Sequence, residues 1–144
     1  MSILKNAIDS ALGAELICDE RQCPSSVISC FVPREKFTEA AKAMKKIHAH
    51  LVAEWAADET PFGRGFGIYA CYRWGAEYLI VKTEAPFDDP TFPTLTKKYL
   101  PAYRFERQIQ SLMGVTPVGH PDTRPWIKFE DWPEDAWPLR KSFD

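Results

Sequence analysis

Hydrophobic residues recur at helical spacing in three stretches of the chain. An amphipathic helix carries apolar residues at intervals of three and four positions, because each turn takes 3.6 residues. This pattern predicts helices over residues 2–14, 34–57 and 103–112. Gly13 and Gly114 stand at the ends of the first and last of them, where glycine commonly ends a helix in a left-handed conformation.

Runs rich in β-branched and aromatic residues predict strands between these helices. Residues 27–32 form one such run, and residues 66–74 and 77–84 form two more. The last two runs are separated only by Gly75 and Ala76, a connection typical of a β-hairpin.

The order of these elements predicts an α+β two-layer sandwich with a mixed or antiparallel sheet and helices on one face. We expect residues 1–114 to form this α+β domain and residues 115–144 to form an extended, irregular, proline-rich tail. The tail carries Trp126, Trp132 and Trp137. Large aromatic side chains on such a segment pack either against their own domain or against another protein, and the sequence leaves both open.

Composition excludes several classes of function. The chain has 144 residues, typical of one domain, and a formal net charge of -2. This balance gives no basis for binding nucleic acid or an anionic membrane surface. No apolar run approaches the roughly 20 residues of a membrane span, and the first residues do not read as a signal peptide. We therefore expect a cytoplasmic protein that meets a membrane only through a partner.

The cysteines predict no metal centre. They lie at positions 18, 23, 30 and 71, and this spacing matches no zinc or iron–sulfur pattern. In a cytoplasmic protein they are expected to be free thiols, some of them buried.

His48, His50 and Glu54 fall within the predicted long helix and form one candidate metal or catalytic group. Two histidines that are two residues apart point to different sides of a helix, so they cannot share a metal ion. His50 and Glu54 would share a face, which is more often a surface contact.

Gly119, His120, Pro121 and Asp122 place a histidine near a carboxylate, as a proton-transfer site would. The same residues favour a turn. Glycine allows an unusual backbone angle, proline fixes φ, and aspartate can bond to the backbone two residues further on.

Glu106 and Arg107 lie in the middle of the third predicted helix among aromatic residues. They can form a partly buried, charged group that organises a tail or an interface. They can equally form part of a solvated helix face, and the sequence does not decide between the two.

A series of short motifs follows in order across residues 85–144. They are Asp88-Asp89-Pro90 with Pro93-Thr94-Leu95-Thr96, Phe105-Glu106-Arg107, Leu112-Met113-Gly114-Val115, Gly119-His120-Pro121-Asp122 with Arg124, Glu130-Asp131-Trp132, and Pro138-Leu139-Arg140-Lys141 with Phe143. In this order they resemble the thirty-kilodalton subunit of respiratory complex I, the NADH-quinone oxidoreductase. They also resemble the equivalent segment of membrane-bound hydrogenases of the formate hydrogenlyase and hydrogenase-4 type.

The resemblance implies a non-catalytic structural subunit with no cofactor or metal of its own. Such a subunit docks on a large subunit that binds quinone or carries nickel–iron, while iron–sulfur subunits transfer the electrons. It lies on the cytoplasmic side and reaches the membrane only through its partners. The interface residues that the resemblance and the tail suggest are Glu106, Arg107, Gly114, Gly119, His120, Pro121, Asp122, Arg124, Trp132, Trp137, Leu139 and Arg140.

Two alternative functions remain open at this stage. One is a stand-alone metal protein or small enzyme that uses His48, His50, His120 and Asp122. The other is a stand-alone binding module that derives from such a family member.

Overall fold

The computed structural model describes residues 2–13, 16–23, 25–128 and 131–143, with the side chains of residues 20–25 outside that part. The helices and strands are α1 (Ile3–Leu12), β1 (Cys18–Cys23), β2 (Ser25–Phe31), α2 (Phe37–Lys46), β3 (His50–Asp58), β4 (Phe66–Trp74), β5 (Glu77–Ala85), β6 (Thr91–Pro93), α3 (Ala102–Met113) and β7 (Thr116–Val118).

A five-stranded mixed sheet in the order β1-β2-β5-β4-β3 forms one layer of the fold. Strands β2 and β5 run parallel, and the other neighbours are antiparallel. The short strands β6 and β7 form a separate parallel pair. The predicted α+β fold with a mixed sheet is thus confirmed, and the described residues beyond β7 carry no helix or strand.

One face of the sheet carries the core beneath the helices. Alternate side chains of β4 and β5 are fully buried there, among them Ile68, Tyr72, Leu79 and Val81. Helices α1 and α2 pack against each other and against β5, while α3 packs against β3. In the part of the chain that the structure describes, no helix is long and apolar enough to cross a membrane.

Several local predictions are confirmed. The Ser2 hydroxyl accepts a hydrogen bond from the Lys5 amide and caps α1, which ends at Gly13 with φ of +66°. The β4–β5 hairpin turns at the predicted place, with Gly75 at φ of +58°. Gly114, with φ of +69°, ends α3.

The long helix predicted over residues 34–57 is wrong. Helix α2 ends at Lys46, and a turn at His48, with φ of +60°, leads into the edge strand β3. Pairing of β3 with β4 overrides the local helical pattern. Residues 50–58 form backbone hydrogen bonds with a strand that already belongs to the sheet, and this tertiary context decides their conformation.

A β-bulge explains why this strand looks helical in sequence. The pairing register shifts between Leu51 and Ala53, so buried and exposed positions stop alternating. The buried residues of β3 are Leu51, Glu54 and Asp58, spaced by three and then four positions. Such spacing also describes one face of a helix.

The prediction of four free thiols is wrong for two of the cysteines. Cys18 and Cys30 form a disulfide, because the antiparallel pairing of β1 and β2 places them opposite each other with Cα atoms 4.6 Å apart. Cys71 is a free, half-buried thiol, and burial raises its pKa. The side chain of Cys23 lies outside the described residues.

Candidate partner-docking site

Helix α3 carries Glu106 and Arg107 inward, so the solvated helix face is excluded for both. Glu106 is fully buried and Arg107 nearly so. The Glu106 carboxylate accepts hydrogen bonds from the Thr94 hydroxyl, from the Leu95 amide at 2.5 Å and from the Thr96 hydroxyl at 3.0 Å. Burial raises the pKa of Glu106, and these hydrogen bonds work against that shift. The contacts fix α3 to the segment that precedes it.

The Arg107 guanidinium holds the beginning of the tail. It donates hydrogen bonds to the carbonyls of Arg124 and Pro125, at 3.0 and 3.1 Å. It also lies 4.9 Å from the ring centre of Trp126, within cation–π range. One of its nitrogens is 3.5 Å from the Asp122 carboxylate. A single buried cation thus orders four neighbouring residues of the tail.

Asp122 accepts more hydrogen bonds than any nearby group. The Arg124 guanidinium binds both of its carboxylate oxygens, at 2.9 and 2.6 Å, and the Arg124 amide adds a contact at 3.0 Å. The Tyr103 hydroxyl donates to the same carboxylate. The Arg124 guanidinium, followed by the Tyr103 hydroxyl, holds the pKa of Asp122 well below its usual range. Asp122 therefore stays ionised and organises the turn.

His120 uses both ring nitrogens for structural contacts. Its Nδ1 accepts a hydrogen bond from the Asp122 amide at 3.0 Å, so in the neutral ring the proton sits on Nε2. Nε2 then donates to the Tyr103 carbonyl at 3.0 Å. Gly119 has φ of +86° and the exposed Pro121 follows. These contacts are those of a turn, and they engage both nitrogens of His120 within the chain.

The tail returns to cover the C-terminal end of α3. The Trp137 indole lies against Gly114. The Arg140 guanidinium lies 3.9 Å from the ring centre of Trp137 and 4.9 Å from that of Phe66. It donates to the carbonyls of Met113 at 2.7 Å and Gly114 at 3.3 Å. A cation thus satisfies carbonyls at the negative end of the helix dipole.

Two backbone contacts complete this return. The Leu139 amide donates to the Leu112 carbonyl at 3.0 Å, and the Lys141 amide donates to the Asp58 carboxylate at 2.7 Å. Burial raises the pKa of Asp58, but hydrogen bonds from Thr60 and Lys141 outweigh it and lower the pKa overall. The tail is thus anchored to its own domain near both ends.

The tryptophans of the tail divide between inward and outward positions. Trp126 and Trp137 are partly buried against the domain, whereas Trp132 is 39% exposed. The Trp132 indole nitrogen donates to the nearby Ala136 carbonyl, at 3.2 Å. The side chains of Leu139 and Phe143 are also exposed. Trp126 and Trp137 therefore pack against their own domain, as one interpretation of the tail expected, whereas Trp132 keeps a large part of its surface exposed.

A cleft of about 620 Å³ lies between α3 and the tail. Ser111 and Gly114 line it from the helix, and Lys128, Trp132 and Trp137 line it from the tail. The cleft places an exposed indole beside a recess, which is a common setting for a partner's side chain.

His48 and His50 do not form the arrangement considered from the sequence. His48 lies in the turn after α2, and His50 begins β3. Within the described residues, no group of three or more His, Cys, Asp or Glu is placed to hold a metal ion.

Sequence reasoning missed three residues of this region. Thr94 and Tyr103 bind Glu106 and Asp122, yet nothing in their local sequence signals a partner that far along the chain. Glu54 was placed on a helix surface, whereas it lies in the core on β3. If residues 50–58 had been assigned to a strand, Glu54 would have been recognised as a charged residue at a buried position.

Comparisons with known proteins agree with the family indicated by the motifs. The family described as "Respiratory-chain NADH dehydrogenase, 30 Kd subunit" matches residues 30–144. Hydrogenase-4 component G of Escherichia coli is 41% identical over 75 residues, which cover 51% of this chain and 14% of that protein. NADH-quinone oxidoreductase subunit 5 of Thermus thermophilus is 28% identical over 125 residues, covering 78% of this chain and 59% of that protein. The chain thus covers less than two thirds of the length of either relative.

A solved structure shows the same fold. The matching chain of a membrane-bound sulfane sulfur reductase, an archaeal respiratory membrane complex, superposes with a TM-score of 0.78 at 23% identity. The match covers 99% of this chain and 84% of the other. With the family match over residues 30–144, this chain belongs to the family of the 30 kDa subunit of respiratory-chain NADH dehydrogenase.

Proposed function

We propose that this chain is a non-catalytic structural subunit of a membrane-attached oxidoreductase, either an NADH-quinone oxidoreductase or a related energy-converting hydrogenase. Residues 1–114 serve as the α+β domain, and residues 115–144 serve as a tail that docks on the large subunit. The chain has no cofactor of its own. Iron–sulfur subunits of the complex transfer the electrons, and the chain meets the membrane from the cytoplasmic side through its partners.

The observation that carries this proposal is the exposed indole of Trp132 on a tail that is fixed on either side of it. Arg107 binds the tail before Trp132, and Arg140 attaches it to α3 afterwards. A segment ordered before binding loses less conformational entropy in the complex. Exposed tryptophan beside a recess is the residue type most enriched among interface residues that dominate affinity.

The electrostatics of the region fit a positioning role. Both nitrogens of His120 and the carboxylate of Asp122 are engaged within the chain. Asp122 is held ionised by Arg124, so it is a poor proton acceptor near neutral pH. This arrangement favours a structural role over the small-enzyme alternative.

Co-purification tests the proposal. The tagged chain, expressed with its genomic neighbours and extracted in mild detergent, should retain a quinone-binding or nickel–iron large subunit and iron–sulfur subunits, identified by mass spectrometry. Metal analysis of the purified chain alone provides the control. Recovery of the free chain from membranes that keep the large and iron–sulfur subunits together would refute the proposal, as would stoichiometric metal lost on His120→Ala.

A further inference from the structure

Glu54 is a carboxylic acid in the core without a hydrogen-bonding partner. It lies on β3 opposite Ala70 of β4, with 4% of its surface exposed. Neither of its carboxyl oxygens has a hydrogen-bond partner in the described structure. An ionised carboxylate in such a place is strongly unfavourable, and a buried acid of this kind normally takes up a proton instead.

Among the residues that the structure describes, the titratable groups around Glu54 offer no compensating positive charge. Glu106 faces it from α3, and the Tyr72 hydroxyl, also without a hydrogen-bond partner, faces it from β4. Tyr99 lies against Tyr72, and His120 lies behind Glu106, 3.9 Å from its carboxylate. Both nitrogens of His120 are already engaged in the turn. The charge that Glu54 meets is therefore the negative charge of Glu106.

Glu106 has one acceptor position to spare. A carboxylate offers about four lone-pair sites. The hydroxyls of Thr94 and Thr96 and the amide of Leu95 take three of them. These three donors favour the ionised form of Glu106, whereas no donor of the described residues is hydrogen-bonded to Glu54. The proton of the pair therefore belongs on Glu54.

We propose that Glu54 and Glu106 form a buried proton-binding site that holds one shared proton and joins β3 to α3. Glu54 is the protonated partner, and Glu106 is the ionised acceptor. In this site the Glu54 hydroxyl donates its proton to the free lone pair of Glu106, the carboxylate that faces it from α3. The site lies on the helix that anchors the tail through Arg107, so its proton also supports the docking region.

The pKa shifts agree with this geometry. Burial, and after it the charge of Glu106, raises the pKa of Glu54 well above 4.5. The folded chain then binds a proton that the unfolded chain releases once the pH exceeds this ordinary value. Stability from this group is complete below the ordinary pKa and is lost as the pH rises through the raised one. Over that window the unfolding equilibrium constant rises up to about tenfold per pH unit.

Carbon NMR of the full chain with labelled glutamate carboxyl groups tests the site directly. At pH 7 one glutamate should show the chemical shift of a protonated acid, and this signal should vanish in Glu54→Gln. Glu35→Gln, the same change at an exposed position, should leave it in place. Spectra of the unsubstituted chain with every glutamate ionised at pH 7 would overturn the proposal even if Glu54→Gln failed to fold.

Glu106→Gln tests whether the proton is shared. Removing the charge of Glu106 should allow Glu54 to ionise at a lower pH, so its resonance should titrate earlier. An unchanged titration of Glu54 in Glu106→Gln would show an isolated buried acid and would contradict the shared site. Stoichiometric binding of a metal ion that replaces the proton would contradict it as well.

Discussion

Trp137 and Gly114 are in such close contact that any side chain at position 114 would force Trp137 to move. A Cβ atom built on Gly114 would lie 2.5 Å from the Trp137 indole, and Gly114 has φ of +69°. The glycine therefore ends α3 and also provides the surface on which the returning tail packs. One position serves both the helix end and the tail.

Gly114→Ala should destabilise the fold by two additive effects. The left-handed backbone costs an L-residue about 1–2 kcal/mol, and the overlap with Trp137 adds about 1–3 kcal/mol. Gly13→Ala is the matched control, because Gly13 ends α1 at φ of +66° and no atom of the described residues lies within 4 Å of its Cβ position. Chemical denaturation should show the larger loss for Gly114→Ala. Equal losses in both variants would mean that Trp137 does not rest on Gly114.

Arg107→Lys should release the beginning of the tail. Lysine lacks the planar guanidinium, in which one terminal nitrogen donates to the carbonyls of Arg124 and Pro125 while the plane lies over Trp126. We expect a loss of about 1.5–3 kcal/mol per charged hydrogen bond not replaced. Hydrogen exchange of the amides of Arg124 and of residues 126–128 should accelerate.

Arg104→Lys is the control for this change. Arg104 is exposed and lies 5.9 Å from the same Trp126 ring. Its replacement should alter stability by no more than about 0.5 kcal/mol. If the tail amides exchange hydrogen at the same rate in Arg104→Lys and Arg107→Lys, the buried guanidinium of Arg107 does not anchor the tail.

Asp122→Asn should weaken the turn only where Asp122 is ionised. The folded pKa of Asp122 lies below the ordinary 3.8, so its stabilising effect is present above that value and is lost as the pH falls through the folded pKa. The difference in unfolding free energy between the unsubstituted chain and Asp122→Asn should therefore shrink below about pH 4. Asp88→Asn, at an exposed position, should show no such dependence. A difference that stays constant from pH 7 to pH 3 would contradict the ionised role.

Elements with consistent local signals were predictable from the sequence. The β4–β5 hairpin has alternating apolar residues and a two-residue turn, and its buried pattern follows the alternation. Helix α3 has a clear apolar face and a glycine at its end. In both, propensity, periodicity and turn chemistry indicate the same structure.

The misread segment shows where such reasoning fails. In β3 the bulge after Leu51 places the buried residues at helical spacing, so periodicity indicated a helix that tertiary pairing excludes. The error also hid Glu54, a buried acid that has no hydrogen-bond partner among the described residues. The site contacts of Glu106 and Asp122 reach 10–19 residues along the chain. Only the fold brings such residues together.

Trp137→Ala should lower folding stability, because Trp137 covers its own domain. A buried Trp→Ala change costs about 3–5 kcal/mol, and the half-buried position favours the low end. Thermal melting of the isolated chain measures the loss. A melting temperature unchanged by Trp137→Ala would show that the packing on Gly114 and Arg140 contributes little.

Trp132→Ala gives the most direct test of the tail as a docking surface. Trp132 is 39% exposed and Trp74, at the tip of the β4–β5 hairpin, is 38% exposed, so Trp74→Ala is the matched control. Both variants should melt close to the unsubstituted chain. The measurement is the affinity of each purified variant for the complex that lacks this chain. We predict that Trp132→Ala weakens binding by about 2–4 kcal/mol, roughly 30-fold or more, while Trp74→Ala binds normally. Normal binding by Trp132→Ala would contradict docking through the tail.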